Sequence, residues 1–319
     1  MDIVHSDEVV QQDQPTGAEV RGMLYRGSFA ALLRVLIAVP VYLLLTPFTL
    51  RHLGADQFAI WSFSATVIGV INLADLGFKS SLLFHCANHW VDRRYINNLF
   101  GACISLYVAL WLLLLLIAVV FSLRISSLLG IPDSFRDQGQ FVVVSTAVSF
   151  GLRFIAMPYQ AIIESRHGVG YSQNVLLCWL LLTAAATLLL LPLFPHVYTL
   201  GWIAIGGNAF VLAAFVLRAG VLFPWLPLFT FKSDWRAMRN LIGFGAGVYI
   251  ATIMISMREP VFKLFLSHGY GLAAVTDFEI AFRFCIQVVS AVISPLLGTF
   301  AAAALLAKQP EELLRLLRP

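Results

Sequence analysis

Tyr107–Phe121 reads YVALWLLLLLIAVVF, fifteen residues without a charge and with no polar face to turn toward water. Asn174–Leu191, NVLLCWLLLTAAATLLLL, repeats the pattern. A helix that is apolar all round sits in a large core or in lipid, and the composition chooses lipid. Of 319 residues, 60% are hydrophobic and 12% charged, with a mean hydropathy of +0.85; soluble domains carry roughly 25% charged residues. The apolar runs approach the ~20 residues a helix needs to cross a bilayer, whereas barrel strands would alternate over segments of about ten. The sequence therefore predicts an all-α integral membrane protein. Eight spans are expected, at Phe29–Leu50, Phe58–Phe78, Leu99–Phe121, Gln140–Ala161, Val175–Leu193, Tyr198–Leu217, Leu241–Leu266 and Phe278–Phe300.

The basic residues set the expected topology. With the N-terminus in the cytoplasm, thirteen Lys and Arg residues fall on the inner side: Arg21, Arg26, Lys79, Arg93, Arg94, Arg166, Arg218, Lys232, Arg236, Arg239, Lys308, Arg315 and Arg318. Three, Arg51, Arg124 and Arg136, fall outside. The positive-inside rule then puts both termini in the cytoplasm. The expected domains are a polar tail at 1–24, a six-helix bundle at 25–222, a cytoplasmic linker at 223–240, the first two helices of a second bundle at 241–307 and a short tail at 308–319. The net charge of +4 is spread over many short loops and does not suggest nucleic acid. Cys86, Cys103, Cys178 and Cys285 are widely spaced, without metal-ligand or disulfide pattern. The N-terminal tail lacks a basic region followed by a short apolar core, as a signal peptide would have.

Five cations lie within spans: Arg34, Arg153, Arg258, Lys263 and Arg283. A cation near the bilayer centre costs from a few to more than ~10 kcal/mol, so the expected setting is a polar path inside the bundle. Several spans carry polar stripes at helical spacing. The fourth has Ser145, Ser149, Arg153, Gln160 and Glu164; the eighth has Glu279, Arg283, Gln287, Ser290 and Ser294. On the first, Arg34, Ala38, Tyr42 and Thr46 share a face. Small and hydroxyl residues on their own suit helix packing. A guanidinium never deprotonates and needs several acceptors. Arg34 lies near a helix end and could snorkel, and Arg283 has Glu279 one turn away. Arg153 is the deepest, with no acid on its stripe before Glu164, and is the leading candidate for an anion contact. Pro40, Pro47 and Pro260 interrupt the first and seventh spans, as in the broken helices of transport sites. No Asp-rich, phosphate-cradling or Ser/His/Asp constellation appears, so no catalytic residue and no metal site is expected.

Leu53–Phe63, LGADQFAIWSF, is followed by Asn72–Phe78, NLADLGF, and Glu259–Phe284 reads EPVFKLFLSHGYGLAAVTDFEIAFRF. In this order they resemble the bacterial polysaccharide flippases, the lipid-linked oligosaccharide branch of the multidrug/oligosaccharidyl-lipid/polysaccharide superfamily. That family has a Leu-Gly turn, a Tyr-Gly-x-Trp-like helix start and an Asp-Leu-Gly. Phe58 and Ala59 stand in place of the Tyr and Gly, while Asp75, Leu76 and Gly77 match. Glu259 stands where Asp is usual, and Phe278 or Glu279 replaces a Tyr at the start of the eighth helix. The resemblance covers residues 25–305 and implies two six-helix bundles flanking a cavity. A second copy starts faintly, PFTLRHLGADQFAI (Pro47–Ile60) against VFKLFLSHGYGLAAVTDFEI (Val261–Ile280). About four further spans would be needed to complete it, which implies a truncated member or a cavity completed by a second chain.

The expected function is flipping of a polyprenyl-pyrophosphate-linked oligosaccharide to the outer leaflet of the bacterial inner membrane, for surface polysaccharide, lipopolysaccharide or O-antigen synthesis. Arg34, Arg153, Arg258, Arg283 and Lys263 would bind the pyrophosphate. Ser145, Ser149, Gln160, Gln287 and Ser290 would line the path. Asp75 and Glu259 are candidates for coupling to a H+ or Na+ gradient, and Asp75 equally suits a helix-end cap. No cofactor is expected. Two other functions fit the same architecture: a cation-coupled multidrug exporter, and a half-transporter without independent activity.

Overall fold

The computed structural model describes residues 17–72, 77–88, 92–124, 133–166, 168–227, 260–283 and 285. Among them the regular elements are all helical.

Helix α1 (Gly17–Asn72) has 56 residues. Straight, it would measure about 84 Å, far beyond the ~30 Å of a hydrocarbon core. It doubles back at Gly54, whose φ of +77° lies in the left-handed region. Tyr42 and Ile68 would stand about 39 Å apart on one straight helix, yet they line a single cavity. The arms at 17–53 and 55–72 correspond to the first two expected spans, with the expected Leu53-Gly54 turn as their tip. The second span is shorter than expected. Its helix ends at Asn72, and a separate short helix, α2 (Phe78–Asn88), begins after Gly77, which is at φ +73°.

Helix α3 (Arg93–Ser122) starts at an Asp92 cap, whose Oδ1 accepts the Tyr95 N–H at 2.9 Å. Its first half is core: Leu99, Phe100, Ala102, Cys103 and Tyr107 are buried. In its second half Leu112, Leu113, Leu116, Ile117 and Val120 are each more than half exposed, the surface a bilayer would cover.

After a short 3-10 turn, α4 (Arg136–Ser165) runs through the middle of the bundle, against α1, α2 and α3 and against α6 (Val197–Leu222). The approach is close because small residues meet rings. A Cβ on Gly151 would come within 1.8 Å of Trp111 Nε1, and one on Gly201 within 2.4 Å of the Phe141 ring. Helix α5 (Val169–Leu190) packs against α1 and α6.

Residues 260–283 are helical and form α7, a second hairpin. Lys263 and Glu279 would lie about 24 Å apart on a straight helix, but Lys263 Nζ is 2.6 Å from Glu279 Oε2. The tip is Gly271, at φ +80°. The loop expected between Leu266 and Phe278 is thus helix on both sides of one glycine. Leu272 and Val275 join the same apolar core as Ile60 and Phe63, so this hairpin is docked on the N-terminal bundle.

The two ends of the bundle differ in charge. At one, Lys79 pairs with Glu164 at 2.9 Å, Arg93 lies 5.5 Å over the Trp225 ring, and Arg218 lies 5.1 Å over Tyr171. At the other the glycine tips gather. Thr276 Oγ1 donates to Ala55 O at 3.1 Å, and Val197 N to Gln57 Oε1 at 3.2 Å.

Candidate functional site

Both arms of α1 meet α4, α5, α6 and the second hairpin around a cavity of about 560 Å³. Three arginines from three elements line it: Arg34 from the first arm of α1, Arg153 from α4 and Arg283 from the second hairpin. Between them stand hydroxyls (Tyr42, Thr49, Ser64, Thr146) and the rings of Trp61, Phe150 and Trp179. Among the described residues that line the cavity there is no Asp or Glu.

The arginines are held differently. Neither Arg34 nor Arg153 makes a hydrogen bond or ion pair with another described residue. Arg283 donates through Nε to Glu279 Oε1, and its guanidinium lies 5.9 Å over the Phe58 ring. It is at once a paired residue and a cavity residue. Lys263 is fully buried and does not line the cavity. Its ammonium is taken up by Glu279 and by the Ser62 carbonyl at 2.9 Å. The ammonium expected to bind substrate is therefore already committed within the protein.

The polar stripe of α4 divides along its length. Ser149 and Arg153 reach the cavity. Ser145 is buried beneath Gly201, with its Oγ donating to Val142 O at 3.2 Å, and is a packing residue. Gln160, also buried, donates to Glu164 at 2.6 Å, and Glu164 in turn pairs with Lys79. Both lie outside the cavity because it spans only the middle of the helix. Asp75, Arg258, Glu259, Gln287 and Ser290 lie outside the described residues.

One wall residue was missed in the sequence. Asn208 of α6 lines the cavity, and its Nδ2 donates to Ser149 Oγ at 2.7 Å and to Ala204 O at 3.2 Å. The signal was present: an amide in mid-span is retained where it has a partner across the helix interface.

A guanidinium offers five donors in a planar fork and keeps its charge. Two of them without acceptors among the described residues, facing a cavity to which those residues bring no carboxylate, suit an anion with several oxygens, for which bidentate charge-assisted bonds are strongest. A cationic ligand would meet repulsion there.

No family model matches the sequence. The chain is 21% identical over 282 residues to the uncharacterized membrane protein EpsK of Bacillus subtilis (strain 168), an alignment covering 85% of this chain and 55% of EpsK. It thus spans about half the length of that relative. Two solved structures share the architecture at 16% identity. One is a MATE in complex with MaD3S, with a TM-score of 0.58 over 91% of this chain and 67% of that one. The other is a multidrug resistance MATE family transporter of the MOP superfamily in its outward-facing conformation, with a TM-score of 0.55 over 91% and 66%. The fold is that of the MATE transporters. The chain is an all-α membrane protein, as its composition predicted.

Proposed function

We propose that this chain acts in membrane transport as a flippase for a lipid-linked oligosaccharide, with a polyprenyl pyrophosphate headgroup held by Arg34, Arg153 and Arg283. The observation that carries the reading is the pair of guanidiniums, Arg34 and Arg153: among the described residues they have no partner, and none of those residues brings a carboxylate to the cavity they line. The pyrophosphate supplies the oxygens these donors lack, and the polyprenyl tail stays in lipid. In this reading the protein lies in a bacterial cytoplasmic membrane with its basic end inside, and rocking of two bundles gives alternating access.

Complementation of a flippase-deficient strain tests it. Arg153→Ala abolishes complementation at unchanged protein abundance. Arg153→Lys restores it partly, since an ammonium keeps the charge but loses the fork. Leu116→Ala, on the lipid side of α3, leaves it intact. Full activity of Arg153→Ala would refute the cationic-cavity mechanism, and failure of the wild-type chain would favour the half-transporter reading.

The multidrug alternative is favoured by one observation, the two MATE structures of like fold. Binding to the purified chain separates the two. Inorganic pyrophosphate should quench the fluorescence of Trp61 and Trp179, and tetraphenylphosphonium should not.

A further inference from the structure

The two hairpins share a register. With tip aligned on tip, Gly54 on Gly271, the residues eight before are Thr46 and Lys263, and the residues eight after are Ser62 and Glu279. In the first hairpin these positions hold two buried hydroxyls satisfied in their own helices: Thr46 Oγ1 donates to Tyr42 O at 2.8 Å and Ser62 Oγ to Ala59 O at 2.7 Å. In the second they hold an ammonium and a carboxylate, 0% and 1% exposed. Packing at this level of the fold is met by small hydroxyls. A buried ion pair brings little or no net stability over a neutral pair, because both ions are desolvated. The charges at the second hairpin call for another use.

The pair is connected in two directions. Lys263 reaches the carbonyl of Ser62, the residue in register with Glu279 itself, and so ties the second hairpin to the first. The other oxygen of Glu279 holds Arg283, which lines the cavity. One carboxylate thus restrains two cations, one at the contact between hairpins and one at the site.

We propose that Glu279 is a proton-binding site linked to anion binding in the cavity, its protonation freeing Arg283 for the anion and loosening the Lys263 tie between the hairpins. This rests on the anion-binding reading of the cavity and adds to it a linked proton and its seat. The step balances. A proton from water adds to a carboxylate oxygen of Glu279, Lys263 and Arg283 keep theirs, and the charge of the three-residue cluster rises by one. A pyrophosphate anion in the cavity offsets that rise, so proton and anion each favour the other's binding, and the coupling is reciprocal. Among the described residues, the groups facing Glu279 include Lys263 across the hairpin, Arg283 one turn along, and the Ser62 carbonyl of α1, linked through Lys263. Beyond Arg283 lie Arg34, Tyr42 and the Phe58 ring.

The test is binding of undecaprenyl pyrophosphate to the full chain in nanodiscs between about pH 5 and 8. Wild-type affinity should rise as pH falls more steeply than that of Glu279→Gln, by up to about tenfold per pH unit for one linked proton. Titration of the ligand itself is common to both and cancels. Equal slopes overturn the proposal and leave the anion site standing. No binding by wild type at any pH sinks the anion reading first. Glu279→Gln leaves the Lys263 ammonium buried beside an amide, so Lys263→Met/Glu279→Gln is measured beside it. The same shallow slope is expected there, and a wild-type slope overturns the proposal. Calorimetry in two buffers of different ionisation heat is run on wild type and on Glu279→Gln. Greater net proton uptake by wild type supports the site, and equal uptake refutes it.

Discussion

Asn208 and Ser149 are joined across the α4–α6 interface by a 2.7 Å hydrogen bond. Ser149 Oγ in turn donates a hydrogen bond to Ala204 O at 3.0 Å, so the cavity wall on this side is a closed polar chain. Interhelical bonds of this kind in membranes are worth from under 1 to about 2 kcal/mol. Asn208→Leu should therefore lower stability by about 1–2 kcal/mol, and Ser149→Ala by less, since Asn208 keeps Ala204 O as an acceptor. Thermal unfolding in detergent, followed by tryptophan fluorescence, reads both. Equal stability of Asn208→Leu and wild type would show the bond to be energetically idle.

Gly151 lets α4 meet the Trp111 ring of α3. Gly151→Ala must push back that ring or the helix, at about 1–3 kcal/mol for overpacking. Trp111→Leu in the same chain should recover most of the loss. If the double variant is no better than Gly151→Ala, the clash is not the cause.

Gly54 is a contrasting case. A Cβ there meets nothing within 4 Å, so its only penalty is the positive φ. Gly54→Ala should cost about 1–3 kcal/mol, and Gly54→Asn about as much, because φ +77° with ψ 167° lies outside the αL well that asparagine tolerates and is open essentially to glycine alone. Unfolding midpoints of the two variants are the readout; an alanine variant as stable as wild type would mean that the tip rearranges freely.

The ends of α4 are about 45 Å apart for its 30 residues. In a cysteine-free background, Ser134→Cys should react with an impermeant maleimide from outside the cell, and Arg94→Cys only after permeabilisation. Labelling of both from the same side would overturn the proposed orientation.

The first six spans were legible because lipid demands length and apolarity, and both are local; most of Leu241–Leu266 and Phe278–Phe300 lies outside the described residues. What was not legible depended on tertiary partners. Lys263 reads in sequence as a substrate cation because its partner Glu279 is sixteen residues away, outside any helical i,i+4 relation; only the turn at Gly271 brings them together. Periodicity put Ser145, Ser149, Arg153 and Gln160 on one face of α4, but it could not say which stretch of that face borders the cavity. Helix α2 was read as the end of one span and a loop, since eleven residues with a Lys, two Ser and a His carry little periodic signal. Asn208 was overlooked although a lone amide in an apolar span was the clearest unread sign.

The one-residue tip at Gly54 also bears on biogenesis. Leu32–Ala65 is apolar over 34 residues, with Arg51 and Asp56 close to its centre. Between the arms the insertion machinery meets only the short polar tip Arg51–Gln57, RHLGADQ. Arms joined so closely are expected to enter as a folded-back pair, tip foremost. Substitutions that charge or lengthen this tip would be felt during assembly in the membrane, before any substrate is met.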